Sequence, residues 1–154
     1  MANWVDGYAI LTGGIEDILS FITTRTMQLR MPVHAKVEGS TLVFPDDFTP
    51  EDLYVLDTDR AFIGFERKHD IKKTDTPGIY EVSVVWDQAH GLKTNELVAL
   101  AQRNNLAIEA EGIVFELELK EHVIVNKHGE ILFYECIEYN HEDYDPYDDY
   151  KKIK

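Results

Sequence analysis

The spacing of apolar residues changes within the first thirty positions of the chain. Residues 5–12 are rich in β-branched and aromatic side chains and stop at a pair of glycines, which predicts a first strand. In residues 15–27 the isoleucines and leucine recur every three or four positions, which predicts an amphipathic helix. Glu16 and Asp17 fall in its first turn, where the helix dipole favours negative charge. The chain therefore begins with a strand followed by a helix.

The next segments predict a hairpin and a short helix. Residues 33–44 alternate between apolar and polar positions around Gly39, which is typical of a β-hairpin. Thr49 precedes Pro50, the combination expected of an N-cap and a first helical residue. A short helix is therefore expected over residues 49–56.

The middle of the chain predicts two strands and a second principal helix. Residues 61–67 and 79–86 are rich in β-formers, and the polar stretch 68–78 between them predicts a loop. Residues 94–105 place leucine, valine and alanine on one helical face, with Thr94 in position to cap the helix.

The last third predicts a half-solvated strand and a hairpin. Residues 112–121 place Ile113, Phe115, Leu117 and Leu119 at alternate positions, and residues 122–139 continue as strands around a turn at His128 and Gly129. On the first of these strands one face is apolar and the other carries Glu116, Glu118 and Lys120. Cys136 lies in an apolar stretch, where a small buried thiol is the expected outcome.

These elements predict an α+β fold. Their order separates two principal helices from a mainly antiparallel sheet, as in a ferredoxin-like sandwich with both helices on one face and additional C-terminal hairpin strands. With 154 residues, 44% of them hydrophobic, the chain fits a single domain over residues 1–140, followed by an acidic, tyrosine-rich tail over residues 141–154. One cysteine, no secretory leader and no apolar run of membrane-spanning length favour a cytoplasmic protein.

The net charge of −14 is unevenly distributed. The segment from Asp46 to Asp59 holds six acidic residues and no basic one, and the segment from Glu109 to Tyr150 holds thirteen acidic and two basic residues. Such a surface repels nucleic acid and anionic membranes and attracts basic proteins. Direct nucleic-acid or membrane binding is therefore disfavoured.

The arrangement of elements resembles a known family. Asn3 and Trp4 precede the first strand, Trp86 closes a later strand ahead of LVALAQRNNLAIEAEG, and a hairpin with Gly129 follows. This pattern resembles the YubB-like ferredoxin-fold family of phage- and plasmid-borne proteins. The resemblance implies a ferredoxin-like fold and an origin in a mobile element, and it carries no active site.

Local patterns give little support for a cofactor or a metal. The paired glycines before the first helix lack a phosphate-binding continuation and are followed by acids that would repel a phosphate. The six histidines have no paired-ligand spacing, and the aspartates of the tail lack the turn glycine of a calcium loop. We expect no catalytic residue, metal or cofactor.

One enzymatic alternative remains open. Alternate residues of a strand project together, so Glu116, Glu118 and Lys120, with Asp87 from another strand, could hold a metal ion for phosphodiester cleavage. A solvated strand face explains the same pattern, and a nuclease also needs a basic track for its substrate. A self-assembling structural or accessory phage protein, associating as a homo-oligomer through sheet edges, is a further alternative.

The preferred interpretation is a non-enzymatic acidic binding protein. Its partner would be a basic protein, such as a host factor that handles nucleic acid and is inhibited by charge mimicry. Carboxylates on the sheet would continue into the tail, where Tyr144 and Tyr147 would serve as contact anchors. The predicted contact residues are Glu109, Glu111, Glu116, Glu118, Glu142, Asp143, Tyr144, Asp145, Tyr147, Asp148 and Asp149.

Overall fold

The long strands lie side by side at the centre of one antiparallel sheet. In the computed structural model, which describes residues 3–139, nine strands lie side by side in this sheet and a tenth, of residues 72–73, pairs with one of them. Three short strands, of residues 36–38, 41–43 and 68–70, form a second, small sheet. The protein is thus an α+β fold with a mainly antiparallel sheet and two helices, as the sequence predicts.

The elements have the following bounds. The helices are α1 (Ile15–Thr24) and α2 (Thr94–Asn104). The first strands are β1 (Trp4–Gly13), β2 (Thr26–Gln28), β3 (Met31–Pro32), β4 (Lys36–Glu38), β5 (Thr41–Val43), β6 (Leu53–Val55) and β7 (Ala61–Gly64). The later strands are β8 (Lys68–Asp70), β9 (Lys72–Lys73), β10 (Tyr80–Ala89), β11 (Ala107–Val114), β12 (Leu119–Val125) and β13 (Ile131–Glu138). The strands of the large sheet are ordered β13, β12, β11, β1, β10, β7, β6, β2, β3, and β9 also pairs with β10. Strands β4, β5 and β8 form the small sheet.

Strand β1 lies in the interior of the sheet, where it pairs with β10 on one side and β11 on the other. Its residues Val5, Ala9 and Leu11 are fully buried and share the face that we call the inner face. The intervening residues, among them Asp6 and Tyr8, lie on the opposite outer face. This alternation divides the sheet into an apolar side and a polar side.

The inner face and the helices contribute to one hydrophobic core. Helix α1 buries Ile18 and Ile22, as its spacing predicts, and also Phe21, and these residues belong to the same cluster as the inner residues of β1. Helix α2 adds Leu97 and Leu100 to that cluster. A core of this extent holds the central strands in place and leaves their outer face available for contacts.

Three local predictions are wrong between residues 49 and 94. Residues 49–56 form no helix, because Leu53 and Val55 are buried as alternate residues of β6. The predicted loop 68–78 contains the short strands β8 and β9. Thr94 is the first residue of α2 rather than its cap, a position held by Lys93.

The predicted strand over residues 112–121 is also wrong. Strand β11 ends at Val114, a short 3-10 turn covers Phe115–Leu117, and β12 begins at Leu119. Glu118 links the turn to β12 with a φ of 51°, a left-handed conformation that breaks the alternation. Residues 112–121 therefore belong to two strands and the bend that joins them.

The C-terminal hairpin is confirmed, but the predicted burial of Cys136 is not. Gly129 has a φ of 82° in the turn between β12 and β13. Strand β13 lies at the edge of the sheet and is exposed along its length, so Cys136 is exposed as well. Within residues 3–139 no helix is long and apolar enough to cross a membrane.

Candidate functional site

A groove of about 540 Å³ lies on the outer face of the sheet. Its floor is formed by outer residues of three neighbouring strands, with Tyr8 from β1, Val85 from β10 and Phe62 from β7. The register explains this grouping, because Tyr8 faces Val85 across the β1–β10 pair and Phe62 faces Asp87 across the β10–β7 pair. Strand pairing alone therefore fixes the position of the floor.

The wall of the groove comes from residues 51–52 and 64–72. The backbone N–H of Phe65 donates to the carbonyl of Pro50 at 2.7 Å, and the side chain of Gln28 donates to the carbonyl of Glu51 at 3.0 Å. The N–H of Ile71 donates to the carbonyl of Ser40 at 2.9 Å, which joins the wall to the small sheet. Hydrogen bonds thus join the wall to β2 of the large sheet, through the side chain of Gln28, and to the small sheet, through the backbone of Ile71.

His69 attaches the wall to the floor. Its Nδ1 accepts a hydrogen bond from the N–H of Glu66 at 3.0 Å, and its Nε2 lies 2.5 Å from the carbonyl oxygen of Ser83. A ring that accepts at Nδ1 and donates at Nε2 is neutral. The edge of the same ring packs against Phe65, with centroids 5.2 Å apart. His69 is therefore occupied in structural contacts and adds no positive charge to the groove.

The groove is strongly negative. Among the described residues that line it, six carboxylates and one ammonium give a formal charge of −5. The acidic residues are Glu51, Asp52, Glu66, Asp70, Glu81 and Asp87, and the basic residue is Lys72. Lys72 lies opposite Glu81 in the β9–β10 pair. The half-buried side chains of Phe62 and Val85 lie among these charges, so the groove offers both carboxylates and apolar surface.

Two carboxylates also face each other on the outer face. Asp6 on β1 is the cross-strand partner of Asp87 on β10. Burial, and secondarily the negative charge of Glu116, raise the pKa of Asp6. Like charges placed opposite each other destabilise a sheet, and a cation bound nearby would relieve this repulsion.

A second polar group adjoins the groove at Tyr8. The Tyr8 hydroxyl donates to Glu111 on β11, and the Nζ of Lys120 on β12 lies 2.9 Å from the other oxygen of Glu111. Burial alone would raise the pKa of Glu111, but the hydrogen bonds from Tyr8 and Lys120 and the charge of Lys120 outweigh it and lower this pKa. Glu111 is therefore an ionised carboxylate that is already bound within the protein.

The structure separates the predicted contact residues into three groups. Glu109 and Glu111 lie on the outer face, but Glu109 is bound to His122 with a separation of 2.6 Å, and Glu111 is bound to Tyr8 and Lys120. Glu116 and Glu118 lie in the bend between β11 and β12, so the predicted row of carboxylates along one strand does not form. The tail residues Glu142, Asp143, Tyr144, Asp145, Tyr147, Asp148 and Asp149 lie outside the described residues.

The same bend removes the basis of the nuclease alternative. Glu116 and Glu118 are not on the strand that carries Lys120, so the three side chains do not project together as alternate residues. Across residues 3–139, no group of three or more histidine, cysteine or carboxylate side chains could hold a metal ion. Cys136 is exposed, but partial burial of its thiol, and then the negative charges of Glu121 and Glu138, raise the pKa of this group. The thiol is therefore not activated as a nucleophile.

Sequence reasoning missed the groove. The floor residues of β10 are outward positions of a predicted strand, so the sequence pattern indicates them. The wall residues Glu51, Glu66 and Asp70 lie in segments with no periodic pattern. The run of acids from Asp46 to Asp59 was the available signal, and it contributes Glu51 and Asp52 to the wall.

We expect replacement of Glu111 by glutamine to lower the free energy of unfolding by about 2 kcal/mol at pH 7, because hydrogen bonds from Tyr8 and Lys120 to a charged carboxylate are lost. The pKa of Glu111 is lowered in the folded protein, so its contribution is present above the unfolded-state pKa and is lost as the pH falls through the folded-state pKa. Urea unfolding at pH 7 and pH 3 should show the difference between wild type and Glu111→Gln shrinking at the lower pH.

Glu38→Gln is the matched control for this experiment. Glu38 pairs with Lys36, but both side chains are largely solvent-exposed, at 58% and 69%. We expect little change in stability from that variant. Equal effects of the two substitutions at pH 7 would contradict the role assigned to Glu111.

No protein-family model, curated protein or solved structure matches the chain. The function is therefore inferred from the geometry of the groove.

Proposed function

We propose that this chain is a non-enzymatic acidic binding protein, and that it binds a basic segment of a partner protein in the groove on the outer face of the sheet. The observation that carries the proposal is the formal charge of −5 among the residues lining the groove. The whole chain, with a charge of −14, would add long-range attraction for a basic partner.

The side chains of the groove favour arginine and lysine as ligands. Arginine forms paired hydrogen bonds with carboxylates and stacks on aromatic rings, and the groove places Asp87 opposite the half-buried ring of Phe62. Lysine can extend its apolar stem along Phe62 and Val85 while its ammonium reaches a carboxylate. A basic segment with several such residues would therefore find charge and apolar contact together.

This proposal moves the contact surface away from the row of glutamates expected from sequence. Glu109 and Glu111 already hold His122 and Lys120, so they offer less to a partner than the acids of the groove. The tail acids and tyrosines remain a predicted second contact. More specifically, we propose that the chain inhibits a host protein that handles nucleic acid. We also propose a cytoplasmic location, a relation to the YubB-like family and a ferredoxin-like placement of both helices on one face of the sheet.

A fluorescently labelled octa-arginine peptide provides the test. We expect it to bind the full chain in anisotropy titrations at 50 mM salt, with the affinity at least tenfold weaker at 300 mM salt because exposed charges are screened. The variant Glu51→Gln/Glu66→Gln/Asp70→Asn removes three exposed charges from the groove, and it should weaken binding at least tenfold at 50 mM salt.

A second triple variant separates the groove from general acidity. Glu38→Gln/Asp75→Asn/Glu130→Gln also removes three exposed charges, but none of these residues lines the groove. We expect it to weaken binding less than threefold. Equal losses in the two variants would show that the peptide follows net charge alone, and the groove would then not be the binding site.

A further inference from the structure

The large sheet has a gap at the groove. Strand β7 pairs with residues 85–88 of β10, and β9 pairs with residues 80–81 of the same strand. On that side of β10, residues 82–84 have no strand beside them in the part of the chain that the structure describes. The imidazole of His69, from β8 of the small sheet, donates from Nε2 to the carbonyl of Ser83 at this point. A side chain therefore takes the place of a strand at the floor of the groove.

The two hydrogen bonds of His69 require a neutral ring. A carbonyl oxygen can only accept, so Nε2 carries the proton, and the N–H of Glu66 can only donate, so Nδ1 carries none. Protonation of Nδ1 would set two donors against each other at 3.0 Å. The bond to Glu66 must then break, whereas the bond to Ser83 can persist. Protonation of the ring therefore acts on the wall of the groove.

The part of the wall that would be released is short. On one side of Glu66 the N–H of Phe65 donates to the carbonyl of Pro50 at 2.7 Å. On the other side the carbonyl of Arg67 accepts from the N–H of Phe44 at 3.1 Å. Loss of the imidazole bond would therefore act first on Glu66, an exposed residue that contributes one of the carboxylates of the groove.

The charges around His69 link its protonation to the occupancy of the groove. Arg67 and Lys68 precede it along the chain, β9 adds Lys72, and β5, which pairs with β8, contributes no charged residue. The carboxylates that line the groove with it are those of Glu51, Asp52, Glu66, Asp70, Glu81 and Asp87, and β1 adds the hydroxyl of Tyr8. These carboxylates favour an imidazolium when the groove is empty, whereas a bound basic segment neutralises them and repels it. The proton and the basic segment therefore oppose each other's binding.

We propose that His69 is a proton-operated switch of the groove. Protonation of its Nδ1 releases the wall at Glu66, adds a positive charge among the carboxylates, and so weakens the binding of a basic segment. This inference rests on the proposed function, because it concerns the regulation of the same site. Histidine ordinarily changes charge between pH 5 and 8, so the switch would release the partner on mild acidification.

Titrations of the labelled octa-arginine peptide at two pH values test the switch. For the wild type at 50 mM salt we expect the affinity to be roughly fivefold weaker at pH 5.5 than at pH 7.5, the effect of about one unit charge close to the ligand. The variant His69→Gln keeps an acceptor and a donor but cannot be protonated in this range, so its affinity should change less than about twofold.

The matched control is His128→Gln. His128 lies in the turn between β12 and β13 and does not line the groove, so this variant should keep the pH dependence of the wild type. Burial, and then the charge of Glu116, raise the pKa of Asp6, which lies opposite Asp87, but this group titrates in all three proteins. The difference between the wild type and His69→Gln therefore isolates the imidazole. Circular dichroism at both pH values establishes that the variants are folded.

Nuclear magnetic resonance of the ¹⁵N-labelled wild type without peptide separates the switch from the groove. At pH 7.5 the ring nitrogens of His69 should show the neutral tautomer with the proton on Nε2. As the ring becomes an imidazolium, the exchange protection of the Glu66 amide should fall roughly tenfold or more relative to that of Phe65. Phe65 is the internal reference, because its bond to Pro50 does not involve the imidazole.

The outcomes distinguish the two proposals. A wild type that does not bind the peptide at pH 7.5 overturns the proposed function and with it the regulation of the groove, even where the Glu66 amide responds to the ring. Peptide binding that is equally strong at pH 5.5, or a loss that persists in His69→Gln, overturns the switch alone. A Glu66 amide that stays protected beside an imidazolium, or a ring that stays neutral down to pH 5.5, also overturns the switch.

Discussion

Replacement of Gly7 by alanine is expected to lower the free energy of unfolding by about 3 kcal/mol or more, one of the two largest losses that we predict for a single substitution. Gly7 lies in the middle of β1, opposite Trp86 on β10 and Gly112 on β11. A Cβ atom at position 7 would lie 2.2 Å from the carbonyl oxygen of Glu111 and 2.8 Å from the Cα of Gly112. Both neighbours are backbone atoms, so relief requires β11 to move away from β1.

That movement of β11 would also disturb the hydrogen bond between β11 and β1 on the outer face. Glu111 and Tyr8 join β11 to β1 on the outer face, and Tyr8 also lines the groove. Differential scanning calorimetry should show the melting temperature of Gly7→Ala lowered by roughly 6–12 °C, given about 2–4 °C per kcal/mol for a protein of this size.

Gly64→Ala is the matched control for Gly7→Ala. Gly64 is also a strand glycine, but the nearest heavy atom to its added Cβ would be 3.7 Å away, an ordinary contact distance. We expect its stability to change by less than about 1 kcal/mol, because lower entropy of the unfolded chain offsets small losses. If the two alanine variants melt alike, the close approach of β1 and β11 is not a constraint on the sheet.

The fold class could be predicted because its evidence is local. The spacing of isoleucines marks α1, the alternation of valines marks β10, and Gly129 marks the turn of the C-terminal hairpin. Each pattern reflects burial of one face of a single element, so the element can be recognised without knowing its neighbours.

The failures occur where distant residues decide the local conformation. Thr49 and Pro50 have the signal of a helix start, but Leu53 is paired with Ile63 of β7, and Thr26 of β2 is paired with Val55. These non-local pairings override a weak local preference for helix. The alternation of residues 112–121 predicted one strand, but the chain bends at Glu118. No hydrophobic pattern indicates the left-handed backbone of this residue.

The position of the groove could not be predicted from the sequence, for the same reason. Its floor requires the register of β1, β10 and β7, and its wall requires hydrogen bonds such as that between Phe65 and Pro50. Composition could indicate an acidic surface, but it could not distinguish carboxylates that line a groove from those, such as Glu111, that already hold a lysine.

Replacement of Trp86 by alanine is expected to lower the free energy of unfolding by about 4 kcal/mol. Trp86 is fully buried on the inner face of β10, between Gly7 of β1 and Ile63 of β7 in the register of the sheet. The indole is one of the largest fully buried side chains, so alanine at this position would leave a cavity in the core. Urea unfolding should show a lower midpoint with little change in slope.

Two further variants separate packing from hydrogen bonding at this site. The indole Nε1 donates to the amide oxygen of Gln88 at 3.3 Å, and the amide nitrogen of Gln88 donates to Glu96 at 2.6 Å. Trp86→Phe keeps most of the ring volume but removes the donor, so we expect a loss of about 1–2 kcal/mol. Trp4→Ala changes the same residue type at a position that is 37% exposed, and it should cost about 1 kcal/mol. The ranking Trp86→Ala, then Trp86→Phe, then Trp4→Ala follows from the location of each ring, and equal losses for the two alanine variants would mean that Trp86 does not anchor the core beneath the groove.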